Sequence, residues 1–203
     1  MKKLFVCVLF ILTGVFMAIF LPGCDSSVKK SAKENTVKAT EEIDSESLYQ
    51  ASGKWDNQYG DTIQLSKLTG KIPVISMVFT RCTFACPRIV ADMRKIEKQV
   101  PKDKKDEVVF VLVSFDAERD HTKELKEFAK QMNLGENWLI LHGNKEDVRE
   151  LSMLLDVKYK KQPNGDYTHS SGIALLDNQG TIAAQLEGLG TNPKTIVEKI
   201  RTM

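Results

Sequence analysis

Short apolar runs alternate with stretches of helical periodicity along most of the chain. The runs predict buried strands, because consecutive apolar residues suit a strand that is covered on both faces. They span residues 74–79, 108–114, 138–141 and 173–176. Between the runs, apolar residues recur at intervals of three and four, which is typical of a helix with one buried face. This spacing predicts helices over residues 87–100, 125–132, 144–155 and 191–200.

Turn-forming residues define the connections between these elements. Residues 55–65 predict a hairpin of two short strands, and the connection that ends in Gly180 predicts a second hairpin over residues 173–186. Residues 158–168 are polar and rich in turn formers, so we predict a loop there. The predicted order is an N-terminal β-hairpin followed by βαβαβαββα. Helices alternating with buried strands favour a three-layer α/β fold in a single domain.

The N-terminus is typical of a targeting segment. Positive charge at Lys2 and Lys3 precedes an almost wholly apolar stretch over residues 4–21, and polar sequence follows Cys24. The end of this stretch, Leu-Pro-Gly-Cys, resembles a bacterial lipobox, which implies cleavage before Cys24 and a lipid on its thiol. The alternative is an uncleaved membrane helix, since the apolar stretch is just long enough to span a bilayer. Both interpretations place the rest of the chain on the extracytoplasmic side of the cell membrane.

Composition changes sharply after the targeting segment. Residues 25–50 are rich in Lys, Glu, Ser and Thr, which predicts a flexible tether because such a segment cannot bury a core. We therefore predict a signal peptide over residues 1–23, a tether over 24–52 and a folded domain over 53–203. The net charge of +2 is small, and acidic residues are interspersed among the lysines. This distribution argues against a nucleic-acid-binding protein.

Only two of the four cysteines, Cys82 and Cys86, lie in the predicted domain. They lie between a predicted strand and a helix expected to begin at Pro87. Unpaired N–H groups at a helix N-terminus favour thiolate over thiol, and Arg81 and Arg88 are expected to act in the same direction. A lone thiol pair in an oxidising compartment is a disulfide, a redox couple or a metal site. A disulfide closing so short a loop would add little stability, which argues against a purely structural role.

The cysteines are accompanied along the chain by an aspartate-rich loop and a late histidine. The segments concerned are Gly70-Lys71, Phe79-Thr80 with Cys82-x-x-x-Cys86-Pro87, Ser114-Phe115-Asp116-Ala117-Glu118-Arg119-Asp120, Trp138, Leu141-His142-Gly143, Tyr167-Thr168-His169-Ser170-Ser171 and Leu175-Leu176-Asp177-Asn178-Gln179-Gly180. In these segments the chain resembles the SCO/SenC family of copper-binding factors for assembling cytochrome c oxidase, and the resemblance extends from about Trp55 to the C-terminus.

The resemblance implies a thioredoxin-like fold and copper held by Cys82, Cys86 and His169. It also implies copper delivery to the binuclear copper centre in oxidase subunit II, or reduction of the cysteines of that centre. Such a protein is a metal-delivery factor more than a turnover enzyme. The same two cysteines are the redox-active thiols if the protein exchanges disulfides, and they would then pair with each other.

Copper(I) is a soft ion that favours thiolate, and imidazole suits both copper oxidation states. The local argument for a metal is that His169 precedes the strand at 173–176, where thioredoxins keep a proline beside their thiols. A thiol:disulfide oxidoreductase and a redox sensor remain alternatives, because three intervening residues do not forbid a disulfide. Asp116 and Asp120 are either a turn residue and a helix cap, or carboxylates that orient a ligand or contact a partner.

Overall fold

A computed structural model of the protein describes residues 46–203. The predicted signal segment, Cys24 and most of the predicted tether lie outside the described residues. Within the part of the chain that is described, no helix is both long enough and apolar enough to cross a membrane.

The described residues form strands and helices in the predicted alternation, with one additional hairpin. The strands are β1 (Trp55–Asn57), β2 (Thr62–Ile63), β3 (Ile72–Val78), β4 (Val108–Ser114), β5 (Trp138–His142), β6 (Tyr159–Lys161), β7 (Tyr167–His169), β8 (Gly172–Leu176) and β9 (Ile182–Glu187). The helices are α1 (Ala85–Glu97), α2 (Thr122–Gln131), α3 (Lys145–Leu154) and α4 (Lys194–Arg201).

Seven strands form one mixed sheet in the order β2-β1-β5-β4-β3-β8-β9, and β6 pairs only with β7. Strands β3, β4 and β5 are parallel, whereas β1 and β8 run antiparallel to their neighbours β5 and β3. Every residue of β3 is buried, as a strand in the centre of such a sheet requires. Helices α1 and α4 pack on β3, β8 and β9, and α2 packs on β5 and β1. The predicted α/β class and the N-terminal hairpin, β1–β2, are confirmed.

Helix α1 begins earlier than the sequence predicts. Its first residue is Ala85, so Pro87 occupies the third helical position instead of the first. Proline is tolerated there because the first four N–H groups of a helix have no partner within the helix. The consequence is that Cys86 lies inside the first turn of α1, while Cys82 lies in the loop before it.

The predicted loop over residues 158–168 is instead the hairpin β6–β7. Tyr159 pairs with His169 across the hairpin, and the turn contains Gly165 at a φ of +85°. Asn164-Gly165 is the dipeptide that most strongly favours a tight hairpin, so the sequence did contain the signal. The aromatic rings of Tyr159 and Tyr167 explain why this polar segment is ordered, because both rings pack on Phe115.

The folded domain also begins before residue 53, the predicted boundary. Ser47 caps a short 3-10 helix, Leu48–Gln50, and accepts a hydrogen bond from the N–H of Tyr49. Leu48 and Tyr49 are buried in the core, and the N–H of Leu48 donates to the carbonyl of Gly180. Because the residues around Leu48 and Tyr49 are mostly polar, the composition does not indicate that these two large side chains belong to the core.

We predict that Leu48→Ala lowers the free energy of unfolding by about 2–5 kcal/mol, the usual cost of removing a buried leucine side chain. Leu48 is 1% exposed, whereas Leu154 is 44% exposed and provides a matched control. Urea unfolding of the two variants measures the difference. Equal, small losses in Leu48→Ala and Leu154→Ala would show that residues 47–51 are not part of the folded domain.

Candidate metal centre

The thiol pair lies at the N-terminus of α1, beyond the carboxyl end of β3. Cys82 is partly exposed, and Cys86 is fully buried in the first turn of the helix. Phe84 occupies the capping position of α1 but makes no capping hydrogen bond with its side chain. The sulfur of Cys82 accepts the N–H of Cys86 at 3.3 Å and thereby caps one of the unpaired donors of the helix. Both cysteines are free thiols in this structure.

The two sulfurs have very different proton affinities. The pKa of Cys82 is lowered to about 4, chiefly because it accepts a hydrogen bond from the thiol of Cys86, with further help from backbone N–H groups of residues 84–86. The pKa of Cys86 is raised because its proton is held in that bond and because the residue is buried. At neutral pH the pair is therefore a partly exposed thiolate beside a buried thiol.

Neither arginine is among the leading causes of the lowered Cys82 pKa. Arg88 places its guanidinium over the ring of Phe84, 4.2 Å from the centroid, and the side chain of Arg81 is exposed. The causes that lower the Cys82 pKa are the Cys86 thiol and the helix N–H groups. Of the two influences expected from the sequence, the N–H groups of the helix terminus are among these leading causes. Phe84 itself is 64% exposed between the cysteines.

His169 is the last residue of β7 and lies against the aromatic side chains that directly follow β3 and β4. Its ring centroid is 5.0 Å from that of Phe115 and 6.2 Å from that of Phe79. Nδ1 of His169 lies 2.9 Å from the carbonyl oxygen of Ser170. A carbonyl oxygen only accepts hydrogen bonds, so this contact requires the proton on Nδ1. The lone pair on Nε2 is then available to a metal ion.

The structure brings Cys82, Cys86 and His169 together. One ligand atom from each residue lies within 4.8 Å of the other two. Metal–sulfur bonds of about 2.3 Å and metal–nitrogen bonds of about 2.0 Å bring two ligands of one ion to within about 4.5 Å, so only slight side-chain movement is needed. Two thiolates and an imidazole form a soft donor set that suits copper(I). No other cluster of three His, Cys, Asp or Glu ligands occurs among residues 46–203.

Asp120 holds the loop that carries Cys82. This aspartate is fully buried and accepts three hydrogen bonds, from the N–H of Thr80 at 2.7 Å, the hydroxyl of Thr80 at 2.6 Å and the hydroxyl of Ser114 at 2.6 Å. The capping position of α2 belongs to His121, so Asp120 is not the cap that the sequence suggested as one alternative. It anchors the end of β3 immediately before the thiols.

Asp116 is also fully buried and faces the histidine side of the site. It accepts hydrogen bonds from the hydroxyl of Tyr167 at 3.2 Å and from Nε of Arg119. The carbonyl of Asp116 also accepts the N–H groups of Arg119 and Asp120, as expected of a turn residue. The turn role predicted for Asp116 is confirmed, and its carboxylate contacts Tyr167 rather than one of the three predicted ligands.

Sequence reasoning did not identify Thr80, Ser114 and Tyr167 as contributors to the site. All three lie inside the segments that carry the family resemblance, directly beside a cysteine loop, an aspartate loop or the histidine. Their position in those segments is the sequence feature that could have identified them as contributors to the site. The remaining histidines, His121 and His142, pack against each other with ring centroids 5.3 Å apart and belong to no three-ligand cluster within the described chain.

A family model described as SCO1/SenC matches residues 42–203. The chain therefore belongs to the SCO1/SenC family, which confirms the resemblance seen in the sequence. The match begins before residue 53, in agreement with the packing of residues 47–51 onto the domain.

Solved structures of the family share the fold. A SCO1/SenC family lipoprotein from Bacillus anthracis str. Ames is 29% identical, with a TM-score of 0.66 over 73% of this chain and 90% of that one. BsSco, described as a member of the Sco family of cytochrome c oxidase assembly proteins, is 27% identical, with a TM-score of 0.63 over 73% and 89%. Bradyrhizobium japonicum ScoI, solved with copper bound, is 24% identical, with a TM-score of 0.62 over 74% and 96%. The thioredoxin-like α/β fold is thus confirmed.

We predict that Cys82 reacts with iodoacetamide at a rate that is nearly constant above about pH 5 and falls as the pH drops through about 4, because its lowered pKa keeps it a thiolate. Cys86→Ala removes the hydrogen bond that contributes most to this lowering and should move the profile to higher pH. Mass spectrometry of the alkylated cysteine gives both profiles. A wild-type midpoint near 8.5, the ordinary cysteine value, would contradict the assignment.

Proposed function

We propose that the protein binds one copper ion through Cys82, Cys86 and His169 and assists assembly of the binuclear copper centre of cytochrome c oxidase. The observation that carries the proposal is the convergence of two sulfurs and one imidazole nitrogen within 4.8 Å of one another. Family membership supports copper as the ion, and a family member of the same fold is solved with copper bound. The description of BsSco supports the connection with oxidase assembly.

The site suits a cargo that must be held and then released. Cys82 and His169 are both partly exposed, so an ion there lies at the protein surface, while the buried Cys86 supports it from beneath. Exposed Phe84 lies beside this opening and provides an apolar contact for a partner. The proposed partner is oxidase subunit II, whose copper-binding cysteines would receive the ion.

The proposed location is the outer face of the cell membrane. The N-terminal sequence supports a lipid on Cys24, and the Bacillus anthracis relative is described as a lipoprotein. Residues from Ser47 onward pack onto the domain, so the proposed tether extends from Cys24 to about residue 46 instead of residue 52. At roughly 5–6 Å times the square root of its length, it gives the domain about 25 Å of typical reach from its anchor.

The second candidate is a tethered thiol:disulfide oxidoreductase that reduces the cysteines of the same partner. The unequal thiols favour it, because a partly exposed thiolate beside a buried thiol is the arrangement that attacks a disulfide and then resolves it. Cys82 would attack one sulfur of the partner disulfide and release the other as a thiolate. Cys86 would then attack Cys82, releasing the second partner thiol and leaving Cys82 and Cys86 oxidised to a disulfide.

We predict that His169→Ala lowers copper affinity by at least about 100-fold, or about 2.8 kcal/mol, because one of three ligands is lost. The variant should keep its fold, since His169 lies at the end of a surface hairpin. Anaerobic copper titration of the reduced protein measures the affinity. His121→Ala, which removes an exposed histidine outside the site, is the matched control, and the double variant Cys82→Ser, Cys86→Ser should bind no copper tightly.

Complementation separates the two candidates. In a host that lacks the gene and fails to assemble its oxidase, His169→Ala should not restore assembly if the protein delivers copper. Full restoration by His169→Ala, together with no restoration by the cysteine variant, would overturn copper delivery in favour of thiol reduction.

A further inference from the structure

Hairpin β6–β7 carries His169 but is not hydrogen-bonded into the main sheet. Its strands pair only with each other, and the seven-stranded sheet contains neither of them. The two cysteines follow the central strand β3, and His169 is joined to the sheet only through Ser170 and Ser171, which lead into β8. The distance between the imidazole and the thiols therefore depends on this short connection and on the side chains that hold the hairpin against the domain.

Three polar side chains connect this hairpin to the loop between β4 and α2. The hydroxyl of Tyr167, on β7, donates to Oδ1 of Asp116 at 3.2 Å. Nη2 of Arg119 donates to the carbonyl of Gly165 in the hairpin turn, and Nε of Arg119 donates to Oδ2 of Asp116. Each carboxylate oxygen of Asp116 thus has its own donor, one from the hairpin and one from the arginine that also contacts the hairpin.

The burial of Asp116 makes its contacts with Tyr167 and Arg119 important for the position of the hairpin. Asp116 is 0% exposed, so its negative charge depends on these partners, and a buried carboxylate that loses one of them is costly. The hairpin is consequently favoured in the one position that supplies the Tyr167 hydroxyl and the Gly165 carbonyl together. His169 lies two residues after Tyr167 on the same strand, so its side chain and that of Tyr167 share a face of β7.

We propose that Asp116, Arg119 and Tyr167 form a clamp that positions hairpin β6–β7, so that the imidazole of His169 stays within reach of Cys82 and Cys86. They are positioning residues that act through His169 and do not touch the ion. The proposal extends the proposed copper-binding function and rests on it. Copper affinity should therefore respond to side chains that lie outside the ligand set.

An exposed ion pair offers a control within the same hairpin. Lys161, on β6, contacts the carboxylate of Glu118, which lies in the same loop as Asp116 and also contacts Lys145. This pair joins the same two segments as the clamp but is open to solvent, where ion pairs contribute little. Lys161→Gln therefore removes a contact between the hairpin and the loop without affecting the buried carboxylate.

The experiment compares Tyr167→Phe and Arg119→Gln with Lys161→Gln. Tyr167→Phe keeps the ring that packs on Phe115 at 5.0 Å and removes only the hydroxyl, so it tests the clamp without loss of aromatic packing. Hydrogen–deuterium exchange of the copper-free proteins should show faster exchange of amides in residues 159–169, by about tenfold, in both clamp variants. Exchange in β3 and β4 should stay as in the wild type, and Lys161→Gln should change little.

Copper(II) binding to the same variants gives the second readout. Affinity should fall by about 10–100-fold in the clamp variants, the usual effect of losing the groups that orient a metal ligand. The nitrogen coupling in the copper EPR spectrum, which reports the imidazole, should weaken in parallel. Lys161→Gln should retain both the affinity and the coupling of the wild type.

Unchanged hairpin exchange in both clamp variants would overturn the proposal. So would a loosened hairpin that keeps wild-type copper affinity and nitrogen coupling, or an equally large effect of Lys161→Gln. A wild-type protein that binds no copper would instead contradict the proposed function. Because hydrogen–deuterium exchange is measured on the copper-free proteins, it would still show whether the clamp holds the hairpin.

Discussion

Strands β3 and β4 pair in parallel along their whole length, from Ile72 opposite Val108 to Val78 opposite Ser114. Because parallel strands end at the same edge of a sheet, the loop with the thiols and the loop with the two aspartates emerge side by side. Asp120 then reaches back to the N–H and hydroxyl of Thr80, and this contact joins the two loops. The rest of the site depends on this alignment.

The aspartate loop holds both halves of the site. Asp120 fixes the end of β3 before Cys82, and Asp116 holds the hairpin that carries His169. The two carboxylates lie four residues apart and are fully buried, so each needs its donors to offset the loss of water. The same loop therefore sets the positions of the sulfurs and of the imidazole relative to one another.

The sequence predicted the architecture well where hydrophobic pattern decides it. The central strands were located to within about two residues, and α3 (Lys145–Leu154) falls within the predicted range of residues 144–155. The cysteine pair and His169 were identified from residue types and order, and the structure brings them together. Family resemblance contributed most for His169, because a single histidine in a polar segment has no local signature of metal binding.

The errors have physical causes. Hairpin β6–β7 was missed although Asn164-Gly165 signals its turn, because the flanking residues are polar and the packing of Tyr159 and Tyr167 on Phe115 does not show in the periodicity. The sequence did not show that Arg88 places its guanidinium over the ring of Phe84, because charge near a site in sequence does not determine where the side chain points. The domain start was placed too late because Leu48 and Tyr49 are isolated large residues in a polar stretch, and only the tertiary structure shows their place in the core.

The central claim is that three side chains from separate segments hold one copper ion. X-ray absorption at the copper K-edge, on reduced protein loaded with one equivalent of copper(I), tests it most directly. The account predicts two sulfur neighbours and one nitrogen neighbour, with the nitrogen contribution absent from His169→Ala. A copper environment that is the same in the wild type and in His169→Ala, or that contains no sulfur, would contradict it.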